Sequence, residues 1–125
     1  RIDHGVRCME DPLLVARLAK ERMPLTVCPL SNVKLCVFNT MADHNLPALL
    51  DAGLCVTVNS DDPAYFGGYM NENFLQTFAA LPALNSSHAH QLALNSFEAS
   101  FASAADKARW VAALDAHFLK AAQAH

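Results

Sequence analysis

Long apolar runs are missing from this chain. None of its 125 residues belongs to a stretch near the ~20 consecutive apolar residues that a membrane-spanning helix needs, and no signal-peptide pattern is present. A basic surplus is missing too. Nine Lys and Arg stand against twelve Asp and Glu, for a net charge of −3, which leaves no electrostatic footprint for nucleic acid. Neither nucleic acid nor a membrane is therefore an expected partner. No C-x-x-C spacing occurs among Cys8, Cys28, Cys36 and Cys55, which argues against a cysteine zinc site. Two of these cysteines lie in apolar, strand-like runs, as buried free thiols do in a reducing cytosol, so the expected location is cytoplasmic. Repeats, low-complexity tracts and linkers are also absent. What remains is 53% hydrophobic and 17% charged, the composition of one modest globular domain with a real core.

An initial methionine is missing as well. The chain opens on Arg1-Ile2-Asp3-His4-Gly5, inside what reads as a strand, and the expectation is a piece of something longer.

The stretch that is most informative runs from Leu54 to Tyr69. Leu54 to Val58 is short, apolar and β-branched, as in a strand buried on both faces. Asn59, Ser60, Asp61 and Asp62 then arrive together before Pro63. Two adjacent carboxylates at a strand end repel unless a cation or several donors are nearby. Taken alone, Asp-Asp-Pro is a turn in which Asp caps backbone N–H groups.

Two further strands precede it. Arg1 to His4 reads as the tail of one, turned by Gly5, and Leu25 to Cys28 as another, closed by Pro29. Strand starts near 1, 25 and 55 are separated by 24 and 30 residues. A helix is predicted in each gap. Asp11-Pro12 opens the first as N-cap and N1, and it runs to about Arg22 with Leu14, Val15, Leu18 and Ala19 on one face. Asn45 is expected to cap the second, Leu46 to Ala52, with Gly53 at C′. Leu30 to Asp43 reads as a polar loop. This is the rhythm of parallel βα units. Right-handed crossovers then bring His4, the Cys28-Pro29-Leu30-Ser31-Asn32 turn and Asp61-Asp62 to one edge of the sheet. The remainder is predicted helical: one helix capped by Asn71 and ending at Pro82, one from Ser87 to Phe97, and one from Ser103 that turns Trp110, Val111, Leu114 and Phe118 to the core, with Lys120 to His125 fraying.

His88-Ala89-His90 has a metal-site pattern, but i and i+2 share a face only on a strand. On the helix predicted here the rings point about 200° apart, so it reads as a solvated helix start. His117 and His125 are read as surface residues, and His44 as either surface or site rim.

Arg1-Ile2-Asp3-His4-Gly5, Cys28-Pro29-Leu30-Ser31-Asn32 and Asn59-Ser60-Asp61-Asp62-Pro63, in that order and spacing, resemble the C-terminal part of the adenosine/adenine deaminase family of metal-dependent hydrolases. The resemblance implies an α/β fold: the last three βα units of a (β/α)8 TIM-type barrel followed by extra helices, with residues 1–125 as the C-terminal portion of one barrel domain. It implies one catalytic Zn2+ held by Asp61. It makes His4 the histidine beside the metal-bound water, and gives Asp62 to the purine N7. Ser31 becomes the residue that steadies the metal aspartate. The implied reaction is hydrolytic deamination of adenine to hypoxanthine and ammonia, a purine-salvage step. Alternatives are an adenosine or N6-substituted adenine deaminase or, from another class, a non-catalytic remnant. Ala64-Tyr65-Phe66-Gly67-Gly68-Tyr69, with Asn32-Val33-Lys34-Leu35 upstream, resembles the bacterial and fungal adenine deaminases, with aromatics that could crowd a ribose or simply pack the loop. The family's His-x-His on the first strand and its His-Ala-Gly-Glu string do not occur in these residues. The chain alone is therefore expected to be inactive, and its open sheet edges to favour self-association.

Overall fold

The computed structural model describes residues 1–124; His125, expected at the surface, lies outside them. Three parallel strands form one sheet in the order β1-β2-β3: β1 (Ile2–Asp3), β2 (Pro24–Val27) and β3 (Cys55–Val58). Ile2 pairs with Leu25, and Val27 with Val58, so all three strands end on the same edge. β3 is buried at all four positions, as the unbroken Cys55-Val56-Thr57-Val58 run requires of a strand covered on both faces.

The crossovers are helical. α1 (Pro12–Glu21) starts as the sequence predicts: the Asp11 carboxylate accepts from the N–H groups of Leu13 and Leu14 at 3.0 and 3.2 Å. It ends at Arg22, whose guanidinium donates to Gly53 O at 2.9 Å. α3 (Leu46–Asp51) carries Leu46 and Leu49 into the core. Leu18, Leu25, Val27, Val56, Val58 and Leu92 join them there.

Several expectations are corrected. Leu30 to Asp43 is not a plain loop; α2 (Pro29–Lys34) begins at the proline after β2, and a 3-10 turn spans Met41–Asp43. Pro29 ends the strand but also takes the first helical position, where a missing N–H costs nothing. Asn45 does not cap α3 with its side chain; its amide donates to Val6 O at 2.9 Å instead. His44 Nδ1 takes over that capping role, accepting from Leu46 N at 3.1 Å. After β3 comes α4 (Pro63–Phe66), then α5 (Met70–Ala80), whose N-cap is Tyr69 and not Asn71. Buried Asn73 of α5 accepts from Leu30 N at 3.2 Å and thereby ties α5 to α2. A Cβ on Gly68 would overlap the end of the Leu30 side chain, which would have to shift to keep that loop against α2.

α6 (Ser86–Ala99) packs on β3, and Asn95 Nδ2 donates to Val56 O at 2.7 Å. α7 (Ala104–Gln123) starts with the predicted Ser103 cap, but none of its residues is fully buried. Trp110 meets Phe97 and Phe118 meets His90, so its apolar side covers α6 and never reaches the core. Its regular turns continue to Gln123, past the expected fraying point. Among the described residues, no helix is long and apolar enough to cross a membrane.

Candidate active site

The shared strand edge is where the polar residues collect. His4 follows β1, and its N–H extends the ladder to Thr26 O at 3.0 Å. Its backbone then enters the left-handed region at φ 59°, and Gly5 follows at φ 78°. A side chain on Gly5 would be strained by that φ and would also press on Leu25. The turn aims the imidazole across the edge.

Cys28, Ser31 and Asn32 come from the β2–α2 junction, and all three are buried. Asp61 follows β3 with φ 58°, a conformation that aspartate tolerates better than most residues but still at a cost. Ser31 Oγ donates to Asp61 Oδ2 at 2.7 Å. His4 Nε2 lies 3.7 Å from that same oxygen, beyond a direct hydrogen bond. The imidazole, the Cys28 Sγ and the Asp61 carboxylate supply donor atoms within 4.8 Å of one another. A polar cleft of about 380 Å³ opens over them, lined also by Asp3, Thr26 and Asn59.

The sequence reading puts the turn that Cys28 opens on this edge but does not single out its thiol as a member of the cluster. Its place at the end of β2 was the available signal. The thiol donates to Thr26 O at 3.3 Å. Burial, and then the charges of Asp61 and Asp3, push its pKa up to about 12, so it sits there as a neutral thiol.

Asp62 lies next along the chain, but its side chain faces elsewhere. It is the N-cap of α4 and accepts from Tyr65 N at 3.2 Å. The capping reading of Asp-Asp-Pro thus describes Asp62, while Asp61 joins the cluster. Tyr65 is 76% exposed and packs edge-on to Phe66.

His44 is neither at the surface nor exposed on the rim: it is 3% exposed and bonded to Asn32 Oδ1 at 3.0 Å. Burial lowers its pKa to about 4. His88 and His90 lie on a helix, as predicted, and their rings engage different partners. His88 Nδ1 accepts from Asn85 N at 3.1 Å, while His90 Nε2 lies 2.7 Å from Asp115 Oδ1. His117 is exposed.

An imidazole and a carboxylate converging on one cleft are donors of the types that zinc accepts. They fit that ion in kind, though a catalytic zinc takes three protein ligands and these residues offer fewer without ionising Cys28.

Residues 1–117 match the model of the family described as adenosine deaminase. The chain belongs to that family. It is 62% identical over 118 residues to the adenine deaminase of Geotalea uraniireducens (strain Rf4), covering 94% of this chain and 33% of that protein. It spans about a third of the length of the curated relatives it matches. The crystal structure of adenine deaminase from Arthrobacter aurescens superposes with a TM-score of 0.90 at 51% identity, over 96% of this chain and 36% of that one. An amidohydrolase from Burkhoderia ambifaria, solved with bound Zn, superposes with a TM-score of 0.86 at 24% identity, over 99% of this chain and 35% of that one. Both likenesses support the (β/α)8 reading: β1, β2 and β3 with their helices are successive βα units of such a barrel.

Proposed function

We propose that this chain is the C-terminal portion of a barrel domain that hydrolyses adenine to hypoxanthine and ammonia. The observation that carries the reading is the Ser31–Asp61 bond beside His4 at one strand edge, in a chain 62% identical to an adenine deaminase.

The reaction replaces the exocyclic amine at C6 by oxygen from water. Asp61 is the residue of this chain that holds the metal, which we assign as zinc from the donor types and the family. When bound, zinc supplies a water acidic enough to react near neutral pH. Ser31 fixes which lone pairs of Asp61 remain available, because its hydroxyl occupies one side of Oδ2. The φ of 58° at Asp61 sends the chain away after the carboxylate has been presented. His4, with Nε2 3.7 Å from Asp61 Oδ2, would stabilise the charge that develops on the attacking oxygen. Asp62 caps α4 through Oδ1, and its other carboxylate oxygen is the one we assign to the purine N7. The two carboxylates therefore divide the work between metal and base.

Free adenine is the proposed substrate because the relatives at 62% and 64% identity are adenine deaminases, and we assign the exclusion of a ribose to the Tyr65-Phe66-Gly67-Gly68 loop that follows Asp62. The test is a steady-state comparison of adenine, adenosine and an N6-methylated adenine with the complete enzyme that contains this chain. The expected result is a kcat/KM for adenine well above the other two. A preference for the nucleoside or the N6-substituted base would replace the substrate. Absence of turnover with all three, in a zinc-loaded protein, would mark a non-catalytic remnant.

A further inference from the structure

Asn32 and His44 take no part in the chemistry just described, yet both are polar and almost wholly enclosed, at 2% and 3% exposure. They form a line that ends at His4. Leu46 N–H donates to His44 Nδ1 at 3.1 Å; His44 Nε2 lies 3.0 Å from Asn32 Oδ1; Asn32 Nδ2 lies 3.4 Å from His4 Nδ1. Beyond His4, its Nε2 faces Asp61 Oδ2 at 3.7 Å.

The proton on each link follows from the first. A backbone N–H can only donate, so His44 Nδ1 must carry the lone pair. Burial depresses the His44 pKa to about 4 and keeps the ring neutral at working pH. A neutral imidazole has one N–H, which therefore lies on Nε2 and donates to the Asn32 carbonyl oxygen. That bond pins the amide and turns its NH2 toward His4. An amide nitrogen donates and does not accept, so His4 Nδ1 must be the acceptor. Neutral His4 then has its proton on Nε2, on the side of Asp61.

We propose that Asn32 and His44 are positioning residues that hold His4 as the Nε2–H tautomer, so that it offers the reaction an N–H donor and not a lone pair. This inference rests on the adenine deaminase reading for its consequence, though not for its geometry. His4 then contributes by hydrogen bonding to the oxygen on which charge grows, a role that depends on a donor already in place. Phe38, with its ring centroid 4.5 Å from that of His44, closes the far side of the relay.

The experiment uses the complete enzyme with 15N-labelled histidine. Long-range 1H–15N spectra report which ring nitrogen of His4 is protonated. In the wild-type protein we expect Nε2–H. Asn32→Asp keeps the shape but offers only acceptors, so it demands a proton on His4 Nδ1 and should invert the tautomer. kcat should fall by roughly a hundredfold or more, with KM changed less than about twofold. His44→Phe leaves the amide free to turn and should give a mixed tautomer population, and it serves if Asn32→Asp fails to fold. A wild-type His4 protonated at Nδ1 overturns the proposal. So does an unchanged tautomer in both variants, or an inverted tautomer with undiminished kcat. If the wild-type enzyme does not deaminate adenine, the functional reading fails, and the His4 spectrum still decides the relay.

Discussion

Ser31 Oγ donates to Asp61 Oδ2 at 2.7 Å across thirty residues of sequence. It joins the buried start of α2 to a carboxylate with strained backbone. This short, charge-assisted bond orients the carboxylate before any ion arrives. Ser31 has no exposed surface, so no water can replace it cheaply.

Ser31→Ala should therefore weaken zinc binding by about 10–100-fold in the complete enzyme, the usual cost of losing a group that orients a metal ligand. The methyl side chain fits the same space, so the fold should survive with a loss of about 1 kcal/mol. Competition titration with a zinc chelator measures the first effect, and thermal melting the second. Unchanged affinity would mean that Asp61 needs no orienting partner.

How far the sequence discloses this arrangement depends on the range of the signal. Local signals read well: Asp11-Pro12 does start α1, Ser103 does cap α7, and Gly53 at φ 76° does follow α3. The βα rhythm also places His4, Ser31 and Asp61 on one edge. Failures come where one residue type has two meanings. Proline after a strand reads as a stop, yet Pro29 starts a helix because the first helical position needs no N–H and suits its fixed φ. Failures also come where burial decides. His44, Asn32 and His4 are far apart in sequence, and only the closed fold shows that they bond in a line. The apolar stripe of α7 is visible in sequence, but nothing local says that it covers α6 and not the core.

His44 makes stability depend on pH. Its folded pKa of about 4 lies below the ordinary 6.5, because burial penalises the charged ring. Between those values the unfolded chain binds a proton that the native state does not, so stability rises with pH across this window. The contribution is fully present above about pH 6.5 and is lost as pH falls toward 4; its size is roughly 3 kcal/mol. Urea unfolding of wild type and His44→Asn at several pH values from 4 to 7 isolates it. The variant should lose stability less steeply on acidification. Parallel curves would show that His44 titrates normally.

Cys28 should be chemically silent despite standing at the site. Its thiol pKa, pushed up to about 12, leaves almost no thiolate near pH 8, and thiolate is the reactive form. Cys36 is exposed, whereas Cys8 and Cys55 are buried with raised pKa values. Iodoacetamide at pH 8, followed by peptide mass spectrometry, should label Cys36 and spare Cys28 until the protein is denatured. Early labelling of Cys28 would mean that it ionises in the native cleft.

The last prediction separates the two adjacent carboxylates. Asp61 lies in the cluster with His4 and Ser31, whereas Asp62 caps α4 through Tyr65 N at 3.2 Å. Asp61→Ala removes the carboxylate we assign to the metal and leaves the Ser31 hydroxyl without its acceptor. In the complete enzyme it should abolish bound zinc and nearly all turnover. Asp62→Asn is the informative partner change, because asparagine caps a helix about as well as aspartate. The start of α4 should stay intact, so any loss reflects the missing charge and not a misplaced loop. Zinc content should remain at the wild-type level while kcat/KM for adenine falls by about 10²-fold, the scale of one charge-assisted contact to the reacting base. Metal analysis and steady-state kinetics on both purified proteins decide the matter. Equal loss of zinc from the two would put both carboxylates on the metal and end the assignment of Asp62 to the purine.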